Sequence, residues 1–317
     1  MVHINLWIWL GFILCILFFL ALDLGAFHRR PRVVKLGEAM AWTVTWFVLA
    51  MLFATAIFIG RSRAEALQFT TGYVIELILS LDNIMVIAVL FAYFRVPLEF
   101  QHRLLFWGIL GVLVMRGIMI CAGVTLVAYY DWILYLLGAF LVCAGVKMLV
   151  SKKQMDPEQN LVLRAVRNIF SVSENLDGRK FLTRVDGRLF LTPLALALLL
   201  VEVMDLAFAV DSVPAVFSVT RDAFIIFTSN IFAILGLRSM YFVLAGALGY
   251  FRYLNLGLST VLVFIGVKML IEPRGPGLRW FQVGLPTSVS LMVVAAILLI
   301  SIALSLTAAH RETVQLK

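Results

Sequence analysis

The stretch that decides the fold class is LTPLALALLLVEVMDLAFAVDSV, residues 191–213. As a helix rising about 1.5 Å per residue, it is long enough to cross a hydrocarbon core about 30 Å thick. Its apolar run is continuous rather than alternating, which excludes the pattern of a membrane β-barrel. The stretch therefore predicts a transmembrane helix that carries three acids, Glu202, Asp205 and Asp211.

Similar stretches fill most of the 317 residues, of which 63% are hydrophobic and 14% charged. A soluble domain carries about 25% charged residues, so this composition excludes an ordinary soluble enzyme and a disordered chain. Three cysteines inside apolar runs exclude a disulfide scaffold. We predict an all-α polytopic transmembrane bundle of about nine helices, near residues 4–22, 41–60, 73–93, 104–128, 132–150, 191–213, 223–248, 253–271 and 285–309.

The basic residues predict the orientation of these helices. No Lys or Arg precedes the first apolar segment, which favours a retained helix over a signal peptide. With nine spans, 17 of the 26 Lys and Arg fall on the side of the C-terminus and 5 on the other side. The positive-inside rule then puts the N-terminus outside and the C-terminus in the cytoplasm. The net charge of +8 indicates contact with anionic lipid, and not with nucleic acid.

The longest polar stretch, about 151–190, is the candidate cytoplasmic segment. Within it, two short alternating runs between Lys180 and Leu191 are joined by Asp186-Gly187, a pair typical of a β-hairpin turn. We interpret the segment as a structured linker; a regulatory module is the alternative.

The linker separates two three-helix blocks that resemble each other, about 73–150 and 191–271. Each block ends in Gly-Val-Lys-Met-Leu, at 145–149 and 266–270, and each begins with a helix carrying two acids six residues apart. Because each block has an odd number of spans, the second must be inverted relative to the first. Inverted repeats are typical of secondary transporters, whose site lies near the membrane midplane. The segments 4–22, 41–60 and 285–309 would be flanking helices of this single transmembrane domain.

Five acids stand inside the predicted spans, where facing lipid would cost on the order of 12–18 kcal/mol together. Two intramembrane arginines cannot neutralise them: the formal sum is −3, and one divalent ion leaves −1. We therefore predict a cation site with room for a proton; purely structural ion pairs are the alternative. The acids are Glu76, Asp82, Glu202, Asp205 and Asp211, with Asn83, Ser212 and Asn230 nearby and the arginines Arg116 and Arg238.

The ligand types predict a hard cation. Carboxylate, amide and hydroxyl oxygens suit Mg²⁺, Ca²⁺ and Mn²⁺, whereas all four histidines fall in predicted loops or tails. Met204 could add a soft ligand, although a packing role is the alternative. Pro214 lacks an amide hydrogen, and we expect it to unwind the helix beside Asp211, as in broken transporter helices. No organic cofactor is expected.

Three long motifs, at 76–83, 201–215 and 228–242, resemble the signature segments of the TerC family, with the nearest likeness in its Alx branch. The resemblance implies a LysE-like bundle and a manganese exporter of the bacterial inner (plasma) membrane, with Mn²⁺ as the transported ion. It implies Glu76, Asp82, Asp205 and Asp211 as metal residues, with Asn83, Glu202, Ser212 and Asn230 as supporting ligands. Arg116 and Arg238 would be partners of these ligands, and Asp23 could mark a vestibule.

We expect a transporter working by alternating access, with Mn²⁺ moving outward and protons inward, and not an enzyme. The alternatives are a membrane-embedded binding or scaffold protein of a metal or tellurium stress response, and a Ca²⁺/H⁺ exchanger. An intramembrane aspartyl protease is disfavoured because the sequence lacks a Gly-x-Gly-Asp pattern. The sequence leaves open the choice between Mn²⁺ and Ca²⁺, the coupling ion and the oligomeric state.

Overall fold

The computed structural model describes residues 6–27, 36–130, 132–150, 180–185, 188–245, 254–272 and 283–315. The described chain contains nine helices and one β-hairpin, which confirms the predicted all-α class. The elements are α1 (Leu6–Phe27), α2 (Leu36–Gly60), α3 (Arg63–Tyr93), α4 (Leu98–Tyr129), α5 (Ile133–Val150), β1 (Leu182–Val185), β2 (Arg188–Leu191), α6 (Pro193–Phe217), α7 (Ala223–Ala245), α8 (Leu254–Ile271) and α9 (Thr287–Gln315).

Seven of these helices, α2 to α7 and α9, are long and apolar enough to cross a bilayer. Helices α1 and α8 contain shorter apolar stretches, Trp9–Phe19 and Leu256–Ile271. Large apolar side chains such as Phe18, Leu52 and Leu299 are exposed on the outside of the bundle. Exposed apolar surface on this scale suits lipid and not water. The chain is a multi-pass helical membrane protein.

Helices α3 and α4 are longer than their predicted apolar spans, at 31 and 32 residues. A hydropathy window detects only the apolar part of a helix, whereas α3 continues through polar residues to its N-cap. There the side chain of Ser62 accepts a hydrogen bond from the amide of Glu65 at 3.1 Å, which satisfies one of the free donors of the first turn.

Helices α3, α4, α6 and α7 form the centre of the molecule, and each packs on at least two of the others. Helices α1 and α2 cover one flank through an aromatic cluster that includes Phe12, Trp46, Phe69 and Phe224. On the other flank, α5, α8 and α9 pack through an aliphatic cluster. The sides of the four central helices that face one another are buried, although α4 also exposes Val114 and Ile118 on the outside of the bundle. Polar side chains can therefore be placed between these helices.

Helices α5 and α8 pack antiparallel and very closely through glycines. A Cβ on Gly138 would lie 3.0 Å from the carbonyl oxygen of Gly266, and one on Gly145 would lie 2.8 Å from that of Ser259. Small residues let helix backbones approach in this way in membranes. Aligning the two Gly-Val-Lys-Met-Leu segments matches Gly145 with Gly266 and Gly138 with Ser259. The two contacts are therefore equivalent between the predicted repeats. The inverted repeat itself stays a prediction.

Helix α6 is continuous through Pro214, so the expected break beside Asp211 is wrong for this conformation. Pro214 lies only three residues before the helix ends at Phe217. So close to the end, its missing amide hydrogen and its ring disturb a single turn. Asp205 and Asp211 consequently stay on one regular helix, where residues six apart point about 120° from each other.

The predicted hairpin is confirmed. Strands β1 and β2 pair antiparallel, from Leu182 opposite Leu191 to Val185 opposite Arg188. Residues 186 and 187 between the strands, like the predicted linker residues 151–179, lie outside the described part of the chain. Phe181 and Leu191 pack against the end of the central helix bundle. The hairpin thereby marks one end of the bundle, called here the hairpin end.

Candidate cation site

Four helices converge on one buried guanidinium group. Arg116 on α4 forms ion pairs with Glu76 on α3 and with Asp205 on α6, the latter with 3.5 Å between Nη2 and Oδ1. Its Nη1 also donates a hydrogen bond of 2.8 Å to Oδ1 of Asn230 on α7. All four side chains are buried. Two of the predicted metal residues, one supporting residue and one predicted arginine partner thus meet at a single point.

A second bond links the two acid-bearing helices directly. Asn83 Nδ2 on α3 donates to Asp205 Oδ1 on α6 across 3.0 Å. Glu76, Ser80 and Asn83 are spaced four and three residues apart, so they lie on one face of α3. Ser80 is buried with them, and it was not among the predicted residues. Its position four residues after Glu76, on the same face of the helix, could have predicted it.

The same region holds buried oxygen atoms that lack hydrogen-bond partners among the described residues. They are Oε2 of Glu76, whose Oε1 pairs with Arg116, together with Oδ1 of Asn83, Oγ of Ser80 and Oγ of Ser212. Buried polar atoms in proteins are nearly always hydrogen-bonded, because an unmade bond costs about 1–3 kcal/mol. Carboxylate, amide and hydroxyl oxygens gathered in this way are the ligands of a hard cation.

A cavity of about 20 Å³ adjoins these residues. Asn83 and Asp205 supply polar groups to its wall, and most of the remaining lining is apolar, including Ile87, Leu105 and Leu237. That volume is enough for about one water molecule. The lining belongs to the half of the bundle nearer the hairpin end, because Ile87, Leu105 and Leu237 pack in the same cluster as Leu191.

The other predicted residues lie around this centre. Glu202 is partly buried one turn before Asp205 on α6, and its carboxylate lies directly against Gly111 of α4. Ser212, two turns after Asp205, shares its face of α6 and is fully buried. Arg238 is buried on α7, two turns beyond Asn230. Met204 lines the cavity.

Asp211 is partly exposed and forms no ion pair or hydrogen bond with another described residue. The side chains of Asp82 on α3 and Asp23 on α1 lie outside the described part of the structure. Among the residues whose side chains are described, no three His, Cys, Asp or Glu form a group that could hold a metal. The described site therefore consists of two carboxylates bridged by an arginine, with amide and hydroxyl groups around them.

The sequence matches the integral membrane protein TerC family over residues 61–313. The chain belongs to the TerC family. This finding confirms the family that motifs 76–83, 201–215 and 228–242 resemble. The matched range contains α3 to α8 and nearly all of α9, so every residue of the described site lies within the TerC region.

Several TerC-like proteins resemble the chain over nearly its full length. A membrane protein of Myxococcus xanthus, described as uncharacterized, is 49% identical over 94% of this chain and 92% of its own. The Escherichia coli (strain K12) protein named putative membrane-bound redox modulator Alx is 42% identical over 93% of this chain and 92% of its own. A membrane protein of Rickettsia bellii is 37% identical over 93% and 95%. No solved structure matches the chain.

Proposed function

We propose that this TerC protein is a secondary transporter that exports Mn²⁺, or another hard divalent cation, from the cytoplasm. Transport would occur by alternating access around Glu76 and Asp205, with protons moving in the opposite direction. The observation that carries the proposal is the pair of buried carboxylates on two central helices, near amide and hydroxyl oxygens that have no hydrogen-bond partner among the described residues. In an otherwise apolar bundle, intramembrane acids in such a setting are typical of ion pathways.

The ligand chemistry supports a hard ion. Asn83, Ser80 and the two carboxylates offer oxygen atoms only, as Mg²⁺, Ca²⁺ and Mn²⁺ prefer. The choice of Mn²⁺ among the three comes from the resemblance to the TerC family. Glu202, Ser212 and Asn230 would be supporting ligands. Asp82 would be a further metal residue, as the resemblance implies, and Asp211 would join the site at another stage of the cycle.

The helix packing supports alternating access. An inverted repeat requires α5 to pack antiparallel to α8, and α3 antiparallel to α6. Both pairs satisfy this: Gly138 and Gly145 meet Gly266 and Ser259 in reversed order. Similarly, Asn83 meets Asp205 while Gly72, earlier in α3, would place a Cβ 3.4 Å from Val216, later in α6. In transporters of this plan, one repeat rocks against the other around a fixed site.

The cavity supports a direction of entry. It lies on the side of Asp205 that faces the hairpin end, and the distribution of Lys and Arg predicts that this end is cytoplasmic. In this orientation, an ion from the cytoplasm would reach Asn83 and Asp205 first. The conformation would thus be one that is closed toward the outside.

Two other functions fit these observations less well than export. A redox modulator, as the Escherichia coli relative is named, would call for redox groups, whereas the chain's three cysteines, Cys15, Cys121 and Cys143, are exposed on different helices. A binding or scaffold protein would need no ion pathway. It would not explain why the buried amide and hydroxyl oxygens of the site have no hydrogen-bond partners among the described residues.

Flux into or out of proteoliposomes tests the proposal. Wild-type protein should move Mn²⁺ faster than empty vesicles, and a variant with both Glu76→Gln and Asp205→Asn should not. Glu65→Gln is a matched control, because Glu65 is also an ion-paired acid of α3 but contacts Arg61 at the start of the helix. Capture of a protein partner without Mn²⁺ flux would favour the scaffold instead.

The same vesicles test proton coupling and selectivity. Collapsing the pH gradient should slow Mn²⁺ efflux, and an unchanged rate would show that protons are not the coupling ion. Adding excess Ca²⁺ on the entry side should compete with Mn²⁺ only weakly. Strong competition would favour a Ca²⁺/H⁺ exchanger.

A further inference from the structure

Arg116 binds the same atoms that the proposed function assigns to the transported metal. Its guanidinium contacts a carboxylate oxygen of Glu76, Oδ1 of Asp205 and Oδ1 of Asn230. A guanidinium is a planar cation whose several donors can bind oxygen atoms on different sides at once. The arginine therefore lies among the acceptors in the position that a metal ion bound to both carboxylates would take.

The charges make the two cations competitors. Counting only Glu76, Asp205 and Arg116, the formal charge is −1 with the arginine alone. A divalent ion added beside it would change that to +1, in a region where uncompensated charge is costly. Oxygen lone pairs that accept hydrogen bonds from the guanidinium are also less available to a metal. Metal binding at both carboxylates requires the guanidinium to withdraw.

The arginine is held less completely than a permanent structural clamp would be. Its Nε is buried and donates no hydrogen bond to a described residue. Its contacts to Asp205 and Asn230 reach α6 and α7 in the other predicted repeat, and these helices would move relative to α4 when one repeat rocks against the other. The guanidinium can therefore lose these contacts in one step of the cycle.

We propose that Arg116 is an internal cation of the transport cycle: it occupies Glu76 and Asp205 when the carrier is empty and is displaced by Mn²⁺. This inference rests on the proposed function and deepens it. The arginine lowers the affinity for the metal, which allows release on the far side. When no metal is bound, the arginine also compensates the charge of the two buried carboxylates while the carrier changes conformation.

Equilibrium Mn²⁺ binding to the full-length protein in lipid nanodiscs tests the inference, with free Mn²⁺ measured by its electron paramagnetic resonance signal. Arg116→Gln removes the competing charge, so it should bind Mn²⁺ at least about tenfold more tightly than the wild type, the size expected for losing one charge-assisted contact. Arg61→Gln is the matched control, because Arg61 also pairs with two carboxylates, Glu65 and Asp222, but away from the site. Its Mn²⁺ affinity should equal that of the wild type.

Equal or weaker Mn²⁺ binding by Arg116→Gln would overturn the inference and make Arg116 a structural support. If that variant does not fold, Arg116→Lys tests the inference instead, since lysine keeps the positive charge but lacks the planar guanidinium group with its several donors. It should bind Mn²⁺ more tightly than the wild type, and equal or weaker binding would again overturn the inference. A wild type that binds no Mn²⁺ would instead contradict the proposed function.

Transport assays give a second readout that a purely structural role would not produce. With Arg116→Gln, exchange of labelled Mn²⁺ for unlabelled Mn²⁺ should continue, because both half-cycles carry the metal. Net efflux should fall at least about tenfold, because the empty carrier must return without its internal cation. Equal loss of exchange and net efflux would contradict the inference.

Discussion

Asn83 on α3 donates its side-chain amide hydrogen to Oδ1 of Asp205 on α6, across 3.0 Å. The bond joins the first helices of the two predicted repeats at the wall of the cavity. The amide nitrogen of Asn83 holds the Asp205 carboxylate in place, while Oδ1 of Asn83 has no hydrogen-bond partner among the described residues. Asn83 is thus placed both to orient one predicted ligand and to offer another.

Replacing Asn83 by leucine should weaken Mn²⁺ binding about tenfold, the loss of one hydrogen bond to a charged group. The fold should survive, because leucine is of similar size and the neighbouring lining residues Ile87 and Leu105 are apolar. Equilibrium Mn²⁺ binding measures the change. Val89→Leu, on an exposed part of the same helix, is the control and should bind like the wild type. An unchanged affinity for Asn83→Leu would show that the amide plays no part.

Asp205 and Asp211 should respond differently to neutralisation. Asp205→Asn should lose both Mn²⁺ binding and export, because Asp205 contacts Arg116 and Asn83 in the buried centre. Asp211→Asn should abolish export and leave the protein inserted in the membrane. Its Mn²⁺ binding in this conformation should fall less than about tenfold, since Asp211 points about 120° away from Asp205 along α6. Parallel measurements of Mn²⁺ binding and Mn²⁺ flux distinguish the roles of Asp205 and Asp211. Full transport by Asp211→Asn would show that Asp211 has no part in the mechanism.

The two lysines of the repeated Gly-Val-Lys-Met-Leu sequence should differ in their effect on stability. Lys268 is buried, and its ammonium donates to the carbonyl of Ser218 at 2.9 Å, at the C-terminal cap of α6. A cation there also suits the negative end of the helix. Lys268→Met leaves that carbonyl without this donor and should lower the free energy of unfolding by about 1–3 kcal/mol.

Lys147 occupies the same position in the first repeat but is exposed. Lys147→Met is therefore the control and should change stability little. Thermal unfolding of the purified protein, followed by intrinsic fluorescence, compares the two. Equal melting temperatures for both variants would contradict a stabilising role of the Lys268 contact.

The close approach of α5 and α8 makes a second stability prediction. A Cβ on Gly266 would lie 2.7 Å from the carbonyl oxygen of Gly138 and 2.8 Å from the amide nitrogen of Val142. Both atoms belong to the backbone, so Gly266→Ala must push the helices apart and should cost about 1–3 kcal/mol. Gly11→Ala, where a Cβ meets nothing within 4 Å, is the control. The same melting experiment applies, and a fully stable Gly266→Ala would show that this interface is looser than described.

Much of the fold could be predicted because each feature depends on local sequence. Continuous apolar runs identify the helices whatever their packing. The alternating runs on either side of Asp186-Gly187 in the sequence predict a hairpin, and Leu182 does pair with Leu191. The equal spacing of Glu76 with Asp82, and of Asp205 with Asp211, also marked the acid-bearing helices correctly. The helix break predicted from Pro214 was wrong, because the effect of a proline on a helix depends on its distance from the helix end.

The detailed site could not be predicted because it depends on how helices rotate against each other. Nothing in the sequence of α4 says that Arg116 points between Glu76 and Asp205, since this follows from the packing of four helices. Equal spacing along two helices suggested that four acids were equivalent. On an unbroken helix, however, residues six apart point about 120° away from each other, so Asp211 lies away from Asp205, while the side chain of Asp82 lies outside the described part of the structure.

A structure of the protein determined with bound Mn²⁺ tests the central claim most directly, because anomalous scattering locates the ion. We expect one ion between Glu76 and Asp205, with their carboxylate oxygens about 2.0–2.6 Å from it and the Arg116 guanidinium withdrawn. An ion bound elsewhere, or bound carboxylates with Arg116 still between them, would contradict it.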